Sequence, residues 1–367
     1  MLRSAWGGGA SGEKFRIAVV TPSAKNDLAF SQSIYESLLK VQEAQGGPEK
    51  LEFVISEGMF VVDDAGAAIR DYASQGYDLV IAHGSQYGSV LQEIAPDFPK
   101  TSFAWGTTVD TFVDKGITNV FAYEARSEQG GYVNGVLAAS LSESGILGVV
   151  GPIETGDAKL YVDGFVAGAQ ATNPDITVNV NYIGSFSDVA LASEAANTQV
   201  GTGADGLTGT AQMVVGAIGV AEENGVPWFG TQSSQTSLAP DIVVANQVYN
   251  WTGVLNTIIE NVKNGELAGT SFALTLENGG LVMDYNPDFD LPADAKAAAD
   301  AAAAAIAAGT LSVFGGETAA PVEEPAAAAE PITIGMILVG PKNDHGYSQA
   351  HYEGGQFIVD NIPGTQL

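Results

Sequence analysis

The 367-residue chain is 46% hydrophobic and carries 43 Asp+Glu against 14 Lys+Arg, a formal net charge of −29. The length accommodates two or three compact units with real cores, while the acidity repels phosphate backbones and anionic membrane surfaces, so nucleic acid is not an expected partner. The absence of Cys rules out disulfides, Cys-ligated zinc and thiol chemistry, and no run of about 18 apolar residues is present to cross a bilayer.

Met1–Trp6 is too short for a signal-peptide core and Gly7–Lys14 reads as flexible, so residues 1–14 are expected to be a tether. Strands are predicted at Phe15–Thr21, Leu51–Ile55, Asp78–His83, Thr101–Trp105 and Asn119–Tyr123, alternating with helices at Ser31–Ala44, Asp63–Ser74 and Gln86–Ile94. A helix near Ser127 opens a second series. Its strands are Ile146–Val150, Thr177–Ile183, Ala204–Thr208 and Pro227–Gly230, with helices at Ala158–Ala171, Asp188–Val200 and Gln212–Asn224. Nearly all-apolar strands separated by helices predict parallel sheets covered on both faces.

Beyond a strand at Ile242–Val248, a helix at Gly253–Asn264 is closed by Gly265. Ser271–Leu276 and Gly280–Asp284 flank Glu277-Asn278-Gly279, which predicts a hairpin. Asp294–Ala308 is an Ala-rich helix ending at Gly309, and residues 315–331, punctuated by Pro321, Pro325 and Pro331, read as a linker. After the linker an earlier segment returns. Lys25–Glu36 is matched in register by Lys342–Glu353, preserving Lys-Asn-Asp, an aromatic, Ser-Gln and Tyr-Glu. Residues 332–367 are therefore expected to be the incomplete start of a second copy, with a tandem of two modules in the full gene product.

In an open α/β sheet, ligands bind beyond the carboxyl ends of the strands. Here those loops include Pro22–Phe30, His83–Gln86, Trp105–Thr108, Gly151-Pro152, Gly184-Ser185-Phe186, Thr208–Thr210 and Thr231–Ser234. They are rich in Gly, hydroxyls, amides and rings and poor in Lys, Arg and paired acids, which suits a neutral, planar, hydrogen-bonding solute and not a phosphate. Phe30 lies in a polar loop and its counterpart Tyr347 keeps the ring, so it reads as a stacking residue; Trp105 and Trp251 suit core and ligand equally. Catalytic patterns are missing. His83 has no sequence-adjacent carboxylate or nucleophile, Ser31-Gln32-Ser33 is not a nucleophile elbow, and no Gly-x-Gly-x-x-Gly opens the first helix, so no cofactor is expected. Asp63-Asp64 read as helix-terminal charge, and Asp284–Asp290 as a turn lacking the Gly and Glu of a calcium loop.

Several motifs in order resemble the basic membrane protein family, the purine-nucleoside-binding lipoproteins of ABC transporters. They are Asp27-Leu28-Ala29-Phe30-Ser31-Gln32 followed by Tyr35-Glu36, then Tyr132-Val133-Asn134-Gly135, Gly184-Ser185-Phe186-Ser187-Asp188 and Gly203-Ala204-Asp205. Lys342–Tyr347, preceded by Gly340-Pro341, and Val248–Trp251 resemble one branch of that family. The family's Asn after the loop aromatic is Ser31 here, its acid after the fourth strand is replaced near Trp105–Thr107, and its later Gly-x-Asp has become Gly230-Thr231-Gln232. Those departures leave a free base or another small polar solute open beside a nucleoside.

The resemblance implies an α/β protein of the type I periplasmic-binding-protein fold, two doubly wound parallel-sheet lobes with a ligand cleft between them. Lobe I is expected at 15–125 plus 251–314 and lobe II at 126–248, with crossovers near Glu124–Arg126, Ala245–Asn250 and Asp284–Pro287. Ligand contacts are expected from Asn26, Asp27, Phe30, Ser31, Gln32, His83, Trp105, Thr107, Phe186, Thr208, Gln232, Asn250 and Trp251, and neither a metal nor a catalytic residue is expected. The implied role is extracytoplasmic, anchored in the full-length protein: capture of a small neutral planar solute, a purine nucleoside or nucleobase by first choice, for an ABC permease. The alternatives are the effector domain of a regulator and a nucleoside-processing enzyme.

Overall fold

A computed structural model describes residues 14–314, together with Ile332, Thr333, Gly335, Met336, Tyr352, Thr365 and Gln366. The expected tether, the 315–331 linker and almost all of the second copy, including Lys342–Tyr347, lie outside the described residues. Contacts divide the chain into a unit spanning Met1–Thr318 and another spanning Ala319–Leu367. In the second unit, Ile332–Thr333 pairs in parallel with Thr365–Gln366.

The first unit contains two six-stranded sheets. Sheet one is built from β1 (Phe15–Val20), β2 (Leu51–Ser56), β3 (Leu79–His83), β4 (Ser102–Gly106), β5 (Val120–Ala125) and β11 (Ser271–Leu274), ordered β11-β5-β4-β3-β1-β2, with every pair parallel. Sheet two contains β6 (Ile146–Gly151), β7 (Thr177–Tyr182), β8 (Leu207–Gly209), β9 (Trp228–Gln232), β10 (Val243–Tyr249) and β12 (Leu281–Tyr285), ordered β12-β10-β9-β8-β6-β7. Only β12 runs antiparallel to its neighbour in that sheet. Sequence explains the layers. The central strand β3, Leu-Val-Ile-Ala-His, is buried at every position, as a strand covered on both faces must be. The edge strand β7, Thr-Val-Asn-Val-Asn-Tyr, is polar and open, which blunts an edge.

Helices α1 (Phe30–Ala44), α2 (Val62–Ser74), α3 (Gly88–Ile94) and α8 (Thr252–Lys263) belong with sheet one. Helices α4 (Glu128–Leu141), α5 (Gly156–Thr172), α6 (Val189–Gly201), α7 (Val214–Asn224) and α9 (Ala293–Ala307) cover sheet two. Phe103, Phe121 and Phe229 are fully buried in these cores.

Three expectations change. The Asn278-Gly279 turn forms, with the Asn278 side chain accepting from Thr275 N at 3.0 Å and Gly280 N at 2.9 Å, but β11 and β12 are not a hairpin. β11 pairs with β5 in one sheet and β12 with β10 in the other, so the turn carries the chain between lobes. Consequently residues 281–314 belong to lobe II instead of lobe I: Ala299 and Ile306 join its core, and Met283, Tyr285, Leu311 and Val313 pack against it. The third crossing is at 275–280 and not at Asp284–Pro287, because β12 is a full member of sheet two. The other two crossings follow β5 and β10, close to their expected places.

Candidate ligand-binding cleft

The carboxyl ends of the two sheets face each other across one cleft, where backbone N–H groups of the following helices also point. Lobe I contributes Pro22 and Phe30 after β1, Phe60 after β2, Gly84, Ser85 and Gln86 after β3, and Thr107 after β4. Lobe II contributes Thr155, Asp157 and Ala158 after β6, Phe186 after β7, Ala211 and Gln212 after β8, and Gln232 at the end of β9. About 40 Å³ is left free between them. The lobes touch directly: Gln212 Nε2 donates to Ser23 Oγ at 2.8 Å and Ser233 Oγ donates to the Ala29 carbonyl at 2.8 Å. Leu28, Ala211 and Gln232, three of the four non-glycine residues with positive φ among the described residues (+54°, +74° and +72°), lie in or beside these loops. Such conformations are costly, and they concentrate at ligand sites.

Phe30 opens α1 and is 8% exposed. Its ring stacks on His83 with centroids 3.9 Å apart and planes 8° apart. His83 is fully buried; its Nε2 lies 3.3 Å from the Phe30 carbonyl and its Nδ1 2.7 Å from the Tyr123 hydroxyl. A carbonyl only accepts, so Nε2 carries the proton and Nδ1 accepts from Tyr123. Burial lowers the His83 pKa to about 3, keeping the ring neutral. Trp251 meets His83 edge-on at 5.6 Å and 87°, and its Nε1 donates to Ser33 Oγ at 2.9 Å. Behind one stacking ring, therefore, stands a packed polar-aromatic column.

Asp157 begins α5 on the opposite lobe and is only partly exposed, toward the cleft. Its Oδ2 accepts from the Tyr249 hydroxyl at 3.0 Å and from Gln232 Nε2 at 3.5 Å. Burial pushes its carboxyl above the usual range despite these two donors. Gln232 Oε1 is buried and has no hydrogen-bond partner among the described residues.

Of the residues singled out from sequence, Phe30, Thr107, Phe186 and Gln232 line the cleft. The others serve elsewhere. Asp27 accepts from the backbone N–H of Ala29, Ser31 and Gln32, capping α1, and Ser31 Oγ bonds Ser23 Oγ at 2.7 Å. Asn26 is exposed outside the cleft lining, and Gln32 points away to Glu36 at 2.7 Å. His83 and Trp251 lie behind Phe30. Trp105 stacks on Phe112 at 5.0 Å and donates to the Gly84 carbonyl. Thr208 is buried between Tyr161 and the Phe229 carbonyl, and Asn250 bonds the Gly279 carbonyl in the crossing.

Sequence reasoning passed over Asp157, Phe60, Gln86 and Gln212. Gln86 sits in a loop already marked as cleft-facing. Asp157 is the instructive one, because an acid in the first turn of a helix ordinarily complements the dipole and draws no notice. Its presence corrects the picture of a cleft stripped of acids.

Comparison with known proteins agrees with this geometry. Residues 14–306 match the family model described as ABC transporter substrate-binding protein PnrA-like. A purine-binding protein of Brucella abortus is 28% identical over 304 residues, covering 83% of this chain and 84% of its own. A transcriptional activator protein of Bacillus subtilis is 26% identical over 269 residues, covering 73% and 81%. Among solved structures, an ABC transporter solute-binding protein from Conexibacter woesei superposes with a TM-score of 0.67 at 24% identity, covering 81% of this chain and 98% of that one. The chain belongs to the PnrA-like family of ABC transporter substrate-binding proteins.

Proposed function

We propose that this chain captures a small planar solute outside the membrane, a purine nucleobase or nucleoside, and hands it to an ABC permease without altering it. The observation that carries this reading is that Phe30 of lobe I and Phe186 of lobe II line the same cleft, among the amides Gln86, Gln212 and Gln232. Two rings from opposing lobes suit the faces of a flat heterocycle, and amides suit its edges. The printed name of the Brucella relative, a purine-binding protein, points the same way. Entry of the solute parts the direct lobe contacts, and reclosure on it produces a shape that a permease can distinguish from the empty form. The Bacillus relative is named as a transcriptional activator, but a net charge of −29 disfavours DNA contact by this chain, so transport is the preferred role.

Thermal unfolding and calorimetry against purine bases, nucleosides and sugars test the proposal. A purine should stabilise the protein by about 2.7 kcal/mol at a hundredfold excess over its dissociation constant, and the recovered solute should be chemically unchanged. Stabilisation by sugars alone, or release of ribose from a bound nucleoside, would overturn it.

A further inference from the structure

One contact ties two cleft residues together. Asp157 Oδ2 lies 3.5 Å from Gln232 Nε2 and also accepts from Tyr249 at 3.0 Å. A carboxylate only accepts, so it holds the Gln232 amide with its NH₂ toward Asp157. The amide oxygen is thereby turned elsewhere, and it is the atom left buried without a partner. Gln232 is 3% exposed and adopts φ +72°, so its backbone is committed to this position. No Lys or Arg lines the cleft to neutralise the carboxylate. Lys159, two residues on, is occupied by Glu154 and Asp163, and Arg126 by Glu128.

We infer that Asp157 and Gln232 form the specificity-determining edge of the cleft, an acceptor pair selecting a ring that presents two adjacent donors, N–H beside NH₂, as on a 2-amino-6-oxopurine. An unsatisfied buried acceptor is costly, and a donor from the ligand removes that cost, while a ligand presenting an oxygen there meets two acceptors and no donor. The inference rests on the purine reading above and adds to it the choice among purines. A vicinal diol of a sugar also offers two adjacent donors, so the test separates base from sugar.

Calorimetry with guanosine, inosine and 2′,3′-dideoxyguanosine provides that separation, since the first two differ by the 2-amino group and the third lacks the diol. The wild-type protein should bind guanosine about tenfold or more tightly than inosine, the size of one hydrogen bond to a charged acceptor, and should retain dideoxyguanosine. In Asp157→Asn the guanosine advantage should collapse while inosine stays within about threefold. Gln232→Met supplies a second variant, should Asp157→Asn fold poorly: it removes the acceptor for the ring N–H that both ligands carry, so guanosine and inosine should weaken together, each by about tenfold. Equal wild-type affinity for guanosine and inosine, a preference that survives Asp157→Asn, or unchanged binding of both in Gln232→Met overturns the inference. Equal weakening of guanosine and inosine in Asp157→Asn, with wild-type discrimination against dideoxyguanosine, overturns it too and assigns the carboxylate to the diol. Binding of inosine by the wild type decides the parent reading separately from these comparisons.

Discussion

Phe30 does two jobs at once, and that changes what its substitution can reveal. The ring lines the cleft but is also stacked on His83 and built into the lobe I core, so truncation to Ala removes packing as well as a ligand face. Phe186, half-buried on a lobe II loop, is the cleaner probe. Phe186→Ala should weaken purine binding by about 1–3 kcal/mol while folding stability changes by less than about 1 kcal/mol. Unchanged affinity in calorimetry would remove the two-ring reading. His83 offers a different test. The unfolded chain takes up a proton at this residue near the ordinary histidine value, whereas the folded site stays neutral down to about 3. Between those values the unfolded state holds more protons, so stability falls as pH falls, by about 1.4 kcal/mol per pH unit. The groups that face His83 are Phe30, Tyr123 and Trp251, none of them charged. Asp157 and Glu124, whose carboxyls are raised, act with the opposite sign but are common to wild type and His83→Gln. Urea unfolding of both proteins between about pH 4 and pH 5.5 should therefore show slopes differing by about 1.4 kcal/mol per unit; parallel slopes would contradict the neutral buried ring. From sequence, the loop holding Phe30 and the aromatic in Gly-Ser-Phe were legible because rings in polar loops have no local excuse. Asp27, expected as a ligand contact, caps α1 here, and a carboxylate that caps a helix looks the same in sequence as one that grips a ligand.

At the level of elements, α4 and α5 pack backbone against backbone, and four glycines permit it. Side chains at Gly131 and Gly135 would overlap the carbonyls of Tyr161 and Phe165, and side chains at Gly164 and Gly168 would overlap Glu128 and Tyr132. Each helix thus places two glycines four residues apart against the other's backbone. Gly135→Ala should destabilise lobe II by about 1–3 kcal/mol, even after the gain of up to about 1 kcal/mol that alanine brings to a helix. Gly219→Ala in α7 is the matching control, since a methyl group there meets nothing within 4 Å. It should stabilise by roughly 0.5–1 kcal/mol. If both substitutions shift the urea midpoint in the same direction, close packing is not what these glycines provide. Element positions were readable from apolar periodicity, and ends moved by at most three residues, the largest shift being the start of β8. Partners were not readable. Asn278-Gly279 signals a tight reversal, but nothing local says that the strands on either side will join different sheets.

The whole first unit is a pair of lobes stitched by three crossings, after β5, after β10 and between β11 and β12. Three chain segments at one edge allow the lobes to open as bodies while fixing the axis about which they do so. This arrangement also bears on the end of the chain. The repeat of Lys25–Glu36 at Lys342–Glu353 invites the idea that the later copy completes the earlier fold. However, β1 already occupies its place between β3 and β2 with a full parallel register on both sides, so a second opening strand has no vacancy to fill. We therefore propose that the segment repeating Lys25–Glu36 belongs to another copy and not to the first unit. Deleting everything after Gly316 should leave both melting temperature and solute affinity unchanged. Cutting before α9 should not, because Ala299 and Ile306 belong to the lobe II core and Leu311 and Val313 pack against it, so losing them uncovers one face of α4 and β12. Burying four such side chains is worth several kcal/mol at about 25 cal/mol per Å², enough to unfold a domain whose total stability is about 5–15 kcal/mol. Paired melting curves of the two truncations decide the boundary. A large drop for the cut after Gly316 would mean that the tail supports the first unit, and the reading of a separate second module would fall with it.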